Sequence, residues 1–247
     1  MTSGASNPRH ARRPARRPGC MPQPELRTSS SAWLEGVLRM FEAEGLDVPS
    51  LLRDAGFDPE SLLRQNARIP VDEVTVLWQL AVARAGRPTL GLHRGLAATH
   101  SKLGTVAHVM ACCVDLGEAM DRLARYMPVI SDATAFSVQP EARGRWMVMQ
   151  HTGGSLPIPR QRVEYALLTM LMQCRWLIRR EMEPLAIEFA YPPPDDDRPH
   201  REAFGCEVRF GAPANRMLLS AANLAMTLPT SHPELGEMQE HLSLIHI

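Results

Sequence analysis

Residues 159–182 place Val163, Leu167, Met170, Leu171, Cys174, Leu177 and Ile178 at helical spacing, so that apolar side chains nearly fill one face. This is the longest helix the chain can build, and Pro184 is positioned to stop it. Before it, residues 133–151 switch to alternation. Ala135, Ser137 and Gln139 are followed by Trp146, Val148 and Gln150 across a turn at residues 140–144, which reads as a β-hairpin. After it, residues 185–191 and 206–210 read as two further strands, and residues 216–219 as an edge strand. Between them lie an exposed connection, Pro192-Pro193-Pro194-Asp195-Asp196-Asp197, and a short helix at 199–204. Helices first, then strands broken by one long helix, indicate an α+β fold with helices covering one face of a small antiparallel sheet.

The first third is helical. Trp33, Leu34, Val37, Leu38 and Phe41 recur at helical spacing, with Ser30 or Ser31 placed to cap the first free amides and Gly45 to end the helix. Short helices are expected at 49–55 and 59–63, and a longer one with Pro70 at its first position, running through Val74, Leu77, Trp78 and Ala81 to Gly86. Gly91 and Gly95 lack the spacing of a phosphate-cradling loop, so they are expected at helix–helix contacts. A helix follows at 105–113. Asp115 caps the next one, with Leu116, Ala119, Met120 and Leu123 as its buried stripe and Arg125-Tyr126 at its exit. Residues 1–31, rich in Pro, Ser and Arg, read as a disordered tail outside the fold. Its Arg12-Arg13 and Arg16-Arg17 pairs suit a basic arm on DNA phosphate, or else a plain tail from a start codon placed too early.

Composition excludes several function classes. The 247 residues carry 27 basic and 27 acidic side chains, and zero net charge argues against gripping nucleic acid unaided, since that affinity comes from excess Lys and Arg displacing counterions. Five cysteines without a CxxC spacing read as reduced core thiols. No apolar run reaches the roughly 18 residues a membrane span needs, and no apolar secretory core follows the N-terminus, so a cytoplasmic location is expected. There is no GxSxG elbow. His93, His100 and His108 are interrupted by glycines and joined by no carboxylate, and Asp195 to Asp197 lack the calcium-loop pattern, so neither a metal nor a cofactor is expected.

The stretch Phe204-Gly205-Cys206-Glu207-Val208-Arg209-Phe210-Gly211-Ala212-Pro213-Ala214-Asn215 sets Cys206, Val208 and Phe210 on one face of a strand and Glu207 and Arg209 on the other. Together with Arg125-Tyr126, with Pro184 opening a strand to Phe189, and with Leu228-Pro229, it resembles the N-terminal ligand-sensing (arabinose-binding-type) domain of AraC/XylS-family bacterial transcription regulators, over residues 33–241. The resemblance implies a non-enzymatic effector-sensing domain at 32–232, with a small-molecule effector and a possible homodimer. It also implies a pair of helix-turn-helix units downstream, through which alone promoter DNA would be bound. No such units follow in this sequence. Residues 233–241 read as the start of a linker, and 242–247 resemble a translated sequencing adapter or else an apolar tail. The alternative is a stand-alone small-molecule-binding or dimerisation module with no DNA partner.

A sensor needs an apolar hollow with a few polar groups that fix orientation. The candidates are Arg125 and Tyr126 at a helix exit, Trp146 and His151 on the hairpin, and Arg162 and Glu164 early in the long helix. Arg125 or Arg162 would clamp an anionic group bidentately, and Trp146 or Tyr126 would supply an aromatic wall. The competing structural roles are core packing for Tyr126 and Trp146 and an Arg125–Glu164 ion pair.

Overall fold

A computed structural model describes residues 27–57, 67–100 and 105–232. The helix expected at 59–63, the segments at 233–241 and 242–247, and most of the N-terminal tail lie outside the described residues. Within it, α1 (Ser31–Ala43) begins where the Ser30 hydroxyl accepts the Trp33 amide, filling one donor that a first helical turn leaves open. Asp47 does the same for the Ser50 amide at the start of α2 (Val48–Asp54). The third helix, α3 (Val71–Ala85), ends on Gly86 in the left-handed region at φ 58°.

Pro70 departs from the expectation. It precedes α3 as its cap and closes a short strand, β2 (Arg68–Pro70), which pairs antiparallel with β1 (Thr28–Ser30). Residues 28–30, inside the stretch expected to be a disordered tail, are therefore part of the fold. Three-residue strands have no readable alternation, and β1 is fixed by distant partners. Asp132 accepts the Thr28 amide and hydroxyl, and Arg68 donates to the Asp132 carboxylate at 2.9 Å and to the Val129 carbonyl at 2.8 Å.

Two short helices, α4 (Arg94–His100) and α5 (Thr105–Ala111), lead to α6 (Leu116–Ile130). Asp115 caps α6 by accepting the Glu118 amide at 2.8 Å. The helix continues past Arg125-Tyr126, which lie within it rather than at its exit, and carries Pro128 in its last turn. Gly91 sits in a turn at φ 90°, where a Cβ would stand 3.1 Å from the Tyr165 Cβ. It lets a turn, not a second helix, approach the long helix, and a Cβ on Gly95 would meet only the His93 ring.

The sheet runs in the order β3 (Thr134–Glu141), β4 (Gly144–His151), β7 (Asn215–Ser220), β5 (Ala186–Glu188), β6 (Val208–Arg209). The hairpin register runs from Thr134 opposite His151 to Glu141 opposite Gly144, a tighter turn than expected. β7 is not an edge strand: it lies between β4 and β5 with Met217, Leu218 and Leu219 fully buried. β5 and β6 pair in parallel, because α8 (Arg198–Phe204) makes the crossover between them. The sheet is thus antiparallel except at that pair. A one-turn helix, α9 (Ala221–Leu224), follows β7.

The long helix, α7 (Arg160–Ile178), lies against α4, α6, α8 and β7 and is buried over nearly its whole circumference. It ends earlier than Pro184 implies, at Arg179, whose φ of 54° is the sole positive value among the described non-glycine residues. The fold is α+β. No helix among the described residues is long and apolar enough to cross a membrane.

Candidate ligand-binding cavity

One stripe of α7 does not behave like a core helix face. Arg162, Ala166, Thr169, Met170 and Gln173 recur at helical spacing and point together into a hollow, where an apolar core would hold only hydrocarbon. Opposite them, α6 contributes Met120, Leu123, Met127 and Ile130, and β4 contributes Met149 and His151. Ser29 and Trp33 of the N-terminal strand and helix, with Ser131 and Thr134, complete the enclosure. The hollow measures about 50 Å³, room for a few heavy atoms as it stands.

Its polar end is built around Arg162, which is 1 % exposed. Nη1 donates to Thr75 Oγ1 at 2.9 Å, and the guanidinium lies 5.8 Å from the Trp33 ring centroid. Nε is buried with no hydrogen-bond partner among the described residues. Burial lowers the guanidinium to about 10, which still leaves it charged at neutral pH. Among the described residues, no Asp or Glu lines the hollow.

His151 stands nearby with Nδ1 buried and unpartnered. Burial first, and the Arg162 charge second, push its imidazole down to about 3. At neutral pH it is therefore an uncharged ring with one donor and one acceptor nitrogen. At the other side of the hollow the Ser29 and Ser131 hydroxyls meet at 2.9 Å, with Thr134 Oγ1 at 3.4 Å from Ser131 Oγ. The result is a small apolar-walled space with directed donors at its rim, the composition of a binding site.

Of the six residues singled out from sequence, His151 and Arg162 meet here. Glu164 lies on the opposite side of α7, fully buried, where its Oε1 accepts from Tyr191 Oη at 2.6 Å and His200 Nε2 at 2.8 Å. The cation nearest it is Arg160, 3.8 Å from Oε1, not the Arg125 expected. Arg125 is exposed on α6, its guanidinium 5.8 Å from the Tyr126 ring, and Tyr126 belongs to the core. Trp146 faces away from the hollow, with the Arg216 guanidinium 4.1 Å over its ring. Trp33, not Trp146 or Tyr126, is the aromatic wall.

Sequence reasoning missed the methionines and the small hydroxyl residues. A signal was present: Thr169 and Gln173 fall on the same stripe of the helix as Arg162.

The profile of the arabinose-binding domain of AraC transcription regulators, N-terminal, matches residues 45–228. The ornithine utilization regulator of Pseudomonas aeruginosa is 24% identical over 213 residues, covering 85% of this chain and 62% of that protein. The crystal structure of the transcriptional regulator CdpR from Pseudomonas aeruginosa matches with a TM-score of 0.55 at 18% identity, covering 80% of this chain and 60% of that one. The chain thus spans about three fifths of the length of each. That structural likeness concerns the fold, whereas the profile match spans well over half of the chain, which belongs to the family of arabinose-binding N-terminal domains of AraC transcription regulators.

Proposed function

We propose that the hollow between α6, α7 and β4 is where this domain receives a small-molecule effector, which it binds and releases unchanged. The observation that supports this is the pair of buried nitrogens without a hydrogen-bond partner among the described residues, Arg162 Nε and His151 Nδ1, at a hollow walled largely by methionine and aliphatic side chains. Buried polar groups are normally satisfied, and leaving them open costs about 1–3 kcal/mol each. A ligand that satisfies them recovers that energy.

In the whole regulator, the domain's ligand state biases how a separate DNA-reading unit is presented to promoter DNA in the cytoplasm. Such a signal passes only through differential affinity: a hundredfold change in occupancy needs about 2.7 kcal/mol of coupling. With 27 basic and 27 acidic side chains, the chain has no net charge with which to hold DNA itself.

Ala166→Leu tests the site. Ala166 is a half-buried position on α7 that lines the hollow, so a larger side chain there fills the space with little strain. The expected outcome is a folded variant within about 1 kcal/mol of the parent in urea unfolding. It loses the thermal shift that the parent gives with its best responder in a panel of small organic acids, amines and sugars. An equal shift in both proteins places the effector elsewhere.

A further inference from the structure

We infer that the effector is an organic monocarboxylate with an apolar body and no cationic group, its carboxylate seated against Arg162 Nε. This rests on the hollow being the effector site, and it narrows that site to one chemical class.

Charge comes first. A guanidinium 1 % exposed, in a wall with no Asp or Glu, is a buried cation without a counter-ion among the described residues. Such a charge is costly unless an anion compensates it. Geometry then selects among anions. With Nη1 held by Thr75 Oγ1, the Nε side of the planar fork is the one left for an acceptor. A planar carboxylate fits that edge in parallel hydrogen bonds. His151 supplies a further directed nitrogen but no second positive charge, which balances a monoanion and leaves a dianion in excess.

The remaining wall limits the rest of the ligand. Met120, Met127, Met149 and Met170, with Leu123 and Ile130, offer hydrocarbon and thioether only, and the polar side chains that remain, Ser29, Ser131, Thr134, Thr169 and Gln173, carry no charge. Methionine has three rotatable bonds and a soft sulfur, so these side chains swing aside to enlarge a 50 Å³ hollow around an aliphatic or aromatic body. An amino acid fits poorly: its ammonium would lie beside Arg162 with no carboxylate among the lining residues to receive it.

The test uses the full chain, with calorimetry and thermal shift at constant ionic strength. The probes are hexanoate, hexanamide, 2-aminohexanoate, sodium chloride and inorganic phosphate. Hexanoate is expected to bind at least tenfold more tightly than hexanamide or 2-aminohexanoate, and the inorganic anions to give no comparable shift. Arg162→Met is expected to fold with an equal or higher Tm, since Thr75 keeps its own bond to the Val71 carbonyl at 2.8 Å, and to bind hexanoate no better than hexanamide. Equal binding of hexanamide or 2-aminohexanoate to the parent overturns the monocarboxylate assignment, as does no binding of butanoate to decanoate, or an equal shift with chloride or phosphate. Should Arg162→Met not fold, the probe series on the parent decides. If the tightest probe is not hexanoate and Ala166→Leu weakens it, the site stands and the ligand class alone fails; if Ala166→Leu weakens none, the site itself fails.

Discussion

Replacing Trp78 by Ala lowers the unfolding free energy by about 3–5 kcal/mol, read as a shifted midpoint in urea at unchanged slope. Trp78 is fully buried on α3. Its ring meets Phe41 of α1 edge-on at 4.8 Å and Tyr165 of α7 at 5.7 Å. One side chain thus ties the N-terminal helices to the helix that carries Arg162, and Ala leaves a void among rigid neighbours that cannot collapse into it. Its Nε1 is buried without a hydrogen-bond partner, so the indole N–H adds nothing favourable. Trp78→Phe, which keeps most of the ring and discards that N–H, therefore costs only about 1 kcal/mol. A large loss on Trp78→Phe would show that the N–H has a partner in solution.

Glu164→Ala comes next, at about 2–4 kcal/mol, because it removes one oxygen that two buried donors share. Tyr191 Oη and His200 Nε2 reach Glu164 Oε1 at 2.6 and 2.8 Å, tying β5 and its following loop and α8 to α7. The two donors lie 3.5 Å from each other, so after truncation they partly satisfy one another, which caps the loss. Glu164→Gln keeps an acceptor oxygen and is expected to lose less than half as much. Phe189 and Phe210 stack on each other beside this cluster and each meets the His200 ring nearly at right angles, so little water enters to replace the carboxylate. If Glu164→Ala unfolds at the parent's urea midpoint, the cluster is not holding α8 in place.

Helix starts were legible because they depend on local chemistry. Ser30 and Asp115 cap the helices that their side chains suggest, and Gly86 ends α3 in the conformation glycine favours. The ladder contacts were less so. β1 and β2 are three residues long, too short for alternation to register, and β7 is central because of partners far apart in sequence. α7 stops at Arg179 although nothing in the composition there demands it before Pro184.

For the site, periodicity held more information than residue type. Trp146 and His151 are five residues apart on one strand, so they face opposite sides of the sheet, and only one of them could line a given hollow. Arg162 and Glu164 are two apart on a helix, roughly 200° around it, and likewise part company. Arg125 lies off the Met120, Leu123 and Met127 stripe for the same reason. The methionine walls were not readable in advance, since Met at core spacing looks alike whether it fills a core or lines a cavity.

The account is tested most directly by methyl NMR on protein labelled at its methionine methyl carbons, titrated with hexanoate. The prediction is saturable shifts at Met120, Met127, Met149 and Met170, with Met40 on α1 and Met217 on β7 unmoved. Shifts confined to methionines outside that set, or none at saturating hexanoate, would contradict an effector seated against α7.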